Sequence, residues 1–456
     1  MAMRNFLSEK LKALAEITPC SLYIVGGAVR NFLTDANLSE DVDLCAPLST
    51  VEFVDCLNKL NLPVVAEYKR TGTIVFSDGQ RKYEFTSFRQ ESYLGGEHTP
   101  YKTEFIKDIK LDALRRDFKC NAIYYDVKSG QYVDPLNGIK DVKEKRLDTV
   151  KDAEQVFSND GLRLMRLARF AGELNFEPTK QVLSACEKYA DNIKDISPER
   201  ILNELIKILK SNKKYAFSNP QGHYVGLKIL EKTRVLDRIL PELTDGRGMA
   251  QRADFHKYDV LEHSLRTVLY AEESVRLSAL LHDIGKPFCF LKDGYYYHHF
   301  SEGEKIAEKV LKRLKADNKT IKKVKFLVRE HMVDIDCLLK ESEVRKFLVK
   351  NKSHLSELLM VKQADFRAGL EQEKVCPTII KWEKIYQKMQ AEKVPFSLAE
   401  LKINAKDLLD LGYEKNELNM QLRRLWNIVI ENPEKNENSN LISLAKIDLE
   451  YKQKKS

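Results

Sequence analysis

The apolar residues of this chain change period near residue 138, and that change constrains the fold more than any other feature. Ahead of it, "SLYIVGG" (21–27) reads as a strand running into a turn. "TIVFSDGQRKYEFTSF" (73–88) reads as a hairpin around Asp78-Gly79. Beyond "VDPLNG" (133–138), apolar residues recur at three and four, as in "LRLMRLARFAGELNF", "ERILNELIKILK" and "EKIAEKVLKRLK". Pro220, Pro241, Pro377 and the tyrosine-rich turn "KDGYYYHH" punctuate this helical region. The expected architecture is a small α/β head followed by an all-α remainder. The expected segments are a head over 1–140, a helical neck over 141–215, a helical body over 216–375 and a helical tail over 376–456.

With 456 residues, 43% hydrophobic and 32% charged, the chain can build several cores and is not a disordered protein. No apolar run approaches the about 18 residues of a membrane span. Glu9 and Glu16 interrupt the apolar pattern at the N-terminus, which reads as an amphipathic helix rather than a signal peptide. Eight scattered cysteines without a CxxC argue against a disulfide framework or zinc ribbon and fit a reducing cytoplasm. The net charge of +8 is unevenly spread, with basic clusters at "LRRDFK" (114–119), "RLMRLAR" (163–169) and Lys319, Lys322, Lys323 and Lys325. Such clusters suit a polyanionic partner.

In "YIVGGAVRNFLTDANLSEDVDL" (23–44), Gly26-Gly27 follow a strand and precede a helical pattern. Backbone N–H groups at such a helix start can cradle phosphate oxygens, and Arg30 would add a charge. Asp41 and Asp43 stand at i and i+2, which in an extended segment face the same way. Two carboxylates held together call for a cation, and hard oxygen ligands suit Mg²⁺. Glu84, alternating with Tyr83 and Phe85, supplies a third. Three carboxylates on adjacent strands can hold two divalent ions for phosphoryl transfer, with the glycine turn holding the phosphates.

The ordered set "GGAVRN", "SEDVDL", "YEFTSFR", "DALRRDFKCNAI" and "DPLNGIKD" resembles the bacterial-type (class II) tRNA nucleotidyltransferase and poly(A) polymerase family. The resemblance implies a polymerase-beta-like head with a small mixed sheet. It implies that Asp41, Asp43 and Glu84 are the catalytic carboxylates, and that Gly26, Gly27 and Arg30 form the triphosphate loop. It further implies that Asp112, Arg116, Asp117 and Asn121 hold the ribose.

"FSNDGLRLMRLARF" (157–170) resembles the family's neck motif, placing Asp160 and Arg163 three apart on one helix face. A carboxylate accepts the exocyclic amine of cytosine or adenine, while a guanidinium donates to the adjacent ring nitrogen. Uracil and guanine present the opposite order and would leave buried polar groups unpaired. Arg166 and Arg169 continue the basic face toward RNA phosphates. The chain departs from the family at Asn159, where glutamate is usual, and near Glu97, where a loop arginine is common. "SPERILNEL" (197–205) fits the motif closing the neck, with Ser197 as helix cap and Glu199–Arg200 as a pair.

"FHKYDVLEHSLRTV" (255–268) and "LSALLHDIGKP" (277–287) resemble the HD phosphohydrolase domain, so the body is expected to be an HD domain. The resemblance assigns His263, His282, Asp283 and Asp365 to a metal site, with His299 and His331 at further family positions. A transition metal or Mg²⁺ there would activate water toward a phosphoester.

The function these readings imply is template-free addition or repair of the 3′-terminal CCA of tRNA from CTP and ATP, with Mg²⁺ in the head and a second divalent metal in the HD domain. tRNA, CTP and ATP are the expected partners; no membrane and no stable protein partner are expected. A bacterial poly(A) polymerase and a CC- or A-only enzyme stay open. So does an HD phosphohydrolase on RNA ends whose head only binds RNA. The Gly-Arg/Lys-Arg/Lys-Phe signature of the poly(A) branch is missing after Asp43.

Overall fold

The computed structural model describes residues 3–35, 42–93, 98 and 100–453. The chain divides into two compact units, Met1–Arg247 with Lys309–Asn318, and Gly248–Glu308 with Lys319–Ser456. None of the described helices is long and apolar enough to cross a membrane.

In the first unit a short 3-10 turn (Met3–Phe6) precedes helix α1 (Glu9–Ile17), which is capped by the Ser8 side chain. Strand β1 (Tyr23–Val25) then runs into α2 (Gly27–Asp35), followed by β2 (Val42–Ala46) and α3 (Thr50–Lys59), the latter started by a Ser49/Glu52 capping box. Strands β3 (Val64–Tyr68), β4 (Thr73–Ser77) and β5 (Lys82–Ser87) come next. The β4–β5 turn is the expected one at Asp78-Gly79: Asp78 Oδ1 accepts from the Gln80 and Arg81 amides at 2.8 and 2.7 Å. Strands β6 (Arg89–Ser92) and β7 (Lys102–Phe105) form a separate antiparallel hairpin where the sequence suggested only a loop. After α4 (Ile109–Leu114), β8 (Tyr124–Asp126) and β9 (Tyr132–Val133) complete a mixed sheet. Among the described residues its order is β3-β4-β5-β2-β1-β8-β9. Only the β2–β5 pairing in it is parallel.

Alternation along β2 and β5 puts Leu44, Tyr83 and Phe85 inside and Asp43 and Glu84 outside. Behind the sheet, Phe53 of α3 stacks on Phe85 at 3.6 Å between centroids. A second cluster, including Val25, Cys45, Phe88, Tyr124 and Val156, extends the core toward the neck. After α5 (Gly138–Lys143), the segment expected as a neck over 141–215 holds α6 (Ala153–Asn159), α7 (Leu162–Leu174), α8 (Lys180–Lys188) and α9 (Pro198–Leu209), and α7 packs on α9 and on α10 (Gly222–Lys232), which follows it. Ser197 stands at the start of α9 without a side-chain capping bond, and Pro198 occupies the first turn. Glu199 pairs with Lys315 at 2.6 Å rather than with Arg200.

The second unit is helical among its described residues. Helix Val260–Tyr270 packs along helix Leu355–Leu370. Near the C-terminus a distinct cluster around Leu408, Tyr413, Leu425, Val429 and Leu441 forms its own core.

Candidate active site

The strand register brings the first site together. Asp43 is paired with Val25 across the antiparallel β1–β2 ladder and with Glu84 across the parallel β2–β5 ladder. Side chains opposite one another on a sheet face lie about 5 Å apart at their Cβ atoms, so these two exposed carboxylates are neighbours. Gly26, which turns the chain from β1 into α2, has φ +76°, and a Cβ there would lie 3.3 Å from Asp43 Oδ2. The glycine keeps that carboxylate's space open where α2 begins. An adjacent carboxylate pair beside a helix N-terminus fits a divalent ion that also carries phosphate oxygens. Asp41, expected as the partner of Asp43, lies outside the described residues.

Arg30 has structural partners that the motif does not disclose. It is 2% exposed and lies between the rings of Phe170 and Tyr215. Its Nε and Nη2 donate to Asn31 Oδ1 at 3.1 and 2.8 Å, its Nη2 reaches Tyr215 Oη at 3.4 Å, and its Nη1 donates to Asn121 Oδ1. Its hydrogen bonds hold Asn121 and the neck, while it lines the same cavity as Gly26 and Gly27.

Asp112, Arg116, Asp117 and Asn121 converge as the sequence motif implies, in two clusters. Asp112 Oδ2 accepts from Arg116 Nη2 (3.0 Å) and Tyr124 Oη (2.8 Å), and its Oδ1 accepts from Arg115 Nε (2.7 Å). Burial opposes its charge, but Arg115 and Arg116 hold its carboxyl well below the usual carboxylate range. Asp117 Oδ1 accepts from the Phe118 amide (2.8 Å) and Asn121 Nδ2 (3.1 Å), while Oδ2 accepts from Arg166 Nε (2.7 Å). Its carboxyl is likewise held low, Arg166 outweighing the burial. A continuous chain thus runs Tyr215–Arg30–Asn121–Asp117–Arg166.

Asp160 and Arg163 form the expected pair, Oδ2 to Nε 3.6 Å, both nearly buried. They do not share a helix face, however. Asp160 is extended (φ −149°, ψ 106°) in the break between α6 and α7, where its Oδ1 accepts from the Leu162 amide at 2.9 Å. Burial pushes its carboxyl up to about 6, against the lowering effect of Arg163. Its Oδ2 lies 2.9 Å from Nδ1 of His98, a residue the sequence reading did not select. Asn159 ends α6, and Glu97 lies outside the described residues. Arg169, expected to face RNA phosphates, lines the cavity and donates to Glu204 (2.7 Å) and Glu173 (3.1 Å). Arg166 is committed to Asp117.

Most of these residues, though not Asp112, Tyr124, Asn31 or Glu204, line one cavity of about 880 Å³. Asp43 and Glu84 lie on its sheet wall, Asp160 and Arg163 on its neck wall, and Lys207, Lys210 and Lys214 add positive charge.

The second unit holds a buried histidine–aspartate cluster. Groups that could hold a metal are His263–His282–Asp283, His282–His331–Asp365 and Asp283–His299–His331. His263 Nε2 is 2.9 Å from Asp365 Oδ1, His282 Nε2 is 3.2 Å from Asp283 Oδ2, and His299 Nε2 is 3.2 Å from Asp283 Oδ1. His282, His299 and His331 each donate Nδ1–H to a backbone carbonyl, those of Ala279, Tyr296 and Val328, at 2.7–2.8 Å. That tautomer turns Nε2 inward as a ligand, so the donor set fits a transition metal or a second divalent ion. Gly285 permits the assembly: a Cβ there would meet the His299 carbonyl at 2.1 Å and the Gly303 amide at 2.6 Å.

The family profile for the poly A polymerase head domain matches residues 22–148, that for the "Probable RNA and SrmB- binding site of polymerase A" matches 175–246, and that for the HD domain matches 260–365. A CCA-adding enzyme of Bacillus pumilus is 36% identical over 252 residues, 54% of this chain and 58% of that protein. An A-adding tRNA nucleotidyltransferase of Deinococcus radiodurans is 32% identical over 280 residues, 58% of this chain and 61% of that protein. The alignments thus span about three fifths of these curated relatives. The Bacillus stearothermophilus CCA-adding enzyme, solved with CTP, has the same fold, with TM-score 0.67 and 20% identity over 99% of this chain and 100% of that one. In series, the chain therefore matches the profiles of a poly A polymerase head domain, a probable RNA-binding segment of polymerase A and an HD domain, and over about half of its length it is similar to CCA-adding enzymes.

Proposed function

We propose that this protein is a CCA tRNA nucleotidyltransferase, adding or repairing the 3′-terminal CCA of tRNA from CTP and ATP without a nucleic-acid template. The observation that carries the proposal is the single cavity with carboxylates Asp43 and Glu84 on one wall and the Asp160–Arg163 pair on the other. Relatives named for CCA addition and for A addition, and solved relatives bound to CTP or to tRNA, support the same reading.

Asp43 and Glu84, with Asp41, would hold Mg²⁺, which neutralises the triphosphate and lowers the pKa of an attacking hydroxyl when bound. The turn at Gly26 and the start of α2 receive phosphate oxygens. Asp117 and Asn121, fixed by Arg166 and Arg30, present polar groups to the ribose. Asp160 accepts the exocyclic amine of C or A, and Arg163 donates to the ring nitrogen. The primer's terminal hydroxyl then attacks the α-phosphate in line and pyrophosphate leaves. For the histidine–aspartate cluster we propose hydrolysis of a phosphomonoester or 2′,3′-cyclic phosphate on damaged tRNA ends. The eight free cysteines suit action in the cytoplasm.

A narrower activity, A addition alone, is favoured by the Deinococcus radiodurans relative. Incubating the protein with tRNAs ending before CCA, after C and after CC, each with one NTP, separates these readings. Two C and one A are expected. A alone points to the narrower enzyme, and long A tracts contradict the proposal.

A further inference from the structure

Three residues absent from the predicted site close a ring around Arg163. Its guanidinium carbon lies 5.7 Å from the ring centroid of Tyr93, just beyond β6. The Tyr93 hydroxyl donates to Glu91 Oε2 at 2.6 Å. Glu91 Oε1 accepts from Arg89 Nε at 2.6 Å and lies 3.5 Å from Arg115 Nη1. The Arg115 carbonyl accepts from Arg163 Nη2 at 2.7 Å, which closes the ring. Arg115 Nε continues to Asp112 Oδ1 at 2.7 Å. Burial opposes the charge on Glu91, yet Arg115 and Arg89 hold its carboxyl below the usual range, so the ring is ionic as built.

Reading a base edge requires a guanidinium whose plane is fixed before the base arrives. Asp160 does not fix it, because 3.6 Å from Nε is longer than a hydrogen bond. Tyr93 covers one face of the cation, and the Arg115 and Val156 carbonyls take two of its five N–H groups, at 2.7 and 3.4 Å. We propose that Tyr93, oriented by Glu91, is a specificity-determining positioning residue that sets the plane of Arg163. Through Arg115, the same ring ties base reading to the Asp112 cluster. This inference rests on the reading of Asp160 and Arg163 as the base-selecting pair.

The test uses the full chain and a primer tRNA ending before CCA, comparing incorporation from UTP and CTP. Tyr93→Leu, which removes the aromatic face, should raise the U-to-C ratio about tenfold. The KM for CTP should rise more than kcat falls. Tyr93→Phe keeps the face and should change the ratio less, with Glu91→Gln between them. A residue that only supports the fold would lower kcat and melting temperature together and leave the ratio alone. A folded Tyr93→Leu with the parental ratio, beside an Arg163→Ala that relaxes it, overturns the proposal. If Tyr93→Leu does not fold, Glu91→Gln decides: a raised ratio supports the proposal and the parental ratio overturns it. An Arg163→Ala variant with the parental ratio would instead show that the base-selecting pair is wrong, and this inference would fall with it.

Discussion

Asp117 Oδ2 is held by two nitrogens of Arg166, Nε at 2.7 Å and Nη2 at 2.5 Å, so the segment after α4 and the neck helix α7 meet in one ion pair. Because Asp117 is only 6% exposed, removing the arginine strands a buried carboxylate. Arg166→Ala should destabilise the protein by about 2–4 kcal/mol, read by urea unfolding. The native Asp117 carboxyl lies below its unfolded value. Its contribution is therefore present above the usual carboxylate range and is lost as pH falls through the native value. The Arg166→Ala penalty should accordingly shrink toward acid.

Base choice should depend on pH near 6. Burial raises the Asp160 carboxyl to about 6, with Arg163, Arg166, Asp117 and His98 as the charged or titratable groups around it. Above that value the carboxylate accepts the amine of C or A. Below it, the protonated group can donate to a carbonyl such as that of uracil. The ratio of U to C incorporation should rise between pH 7 and pH 5.5. The sign for stability is the same: a raised carboxyl favours the folded state at low pH, and that contribution is lost as pH rises through about 6. A flat U-to-C ratio across this range would contradict the role given to Asp160.

Gly26→Ala should damage activity more than stability. A left-handed φ costs an L-residue about 1–2 kcal/mol, and the new methyl would press on Asp43 Oδ2 from 3.3 Å. Thermal melting should fall modestly while nucleotide incorporation falls by an order of magnitude or more. Equal proportional losses would deny the glycine a role at the carboxylate.

The histidine–aspartate cluster makes a prediction independent of the head. Protein loaded with Mn²⁺, Co²⁺ or Ni²⁺ and desalted should retain metal by elemental analysis, and Asp283→Ala should lose it. Asp283 takes part in two of the three candidate ligand groups. Nucleotide addition should persist in that variant. No retained metal in the parent would assign the cluster a purely structural role.

The sequence disclosed features whose cause is local. Alternation placed Asp43 and Glu84 on one sheet face, and the change of period separated the head from the helical remainder. It was least informative where distant segments decide the outcome. Arg30 stands in the glycine-turn motif, and its partners Asn121, Phe170 and Tyr215 lie well away in the sequence, Asn121 and Tyr215 by 91 and 185 residues. The i, i+3 spacing of Asp160 and Arg163 suits a helix equally well, and only the backbone shows the break between α6 and α7. Tyr93, Glu91 and His98 carried no motif, because their partners are met only when the β6–β7 hairpin forms against the neck. The paired basic face of α7 was equally hidden, since Glu173 and Glu204 read as ordinary surface acids.

The central claim is that one carboxylate site serves both nucleotides. Its most direct test is single-turnover incorporation by Asp43→Ala on two primers, a tRNA lacking CCA with CTP and a tRNA ending in CC with ATP. Loss of both C and A addition, with the melting temperature retained, is the predicted result. Loss of one addition with the other intact would contradict a single site.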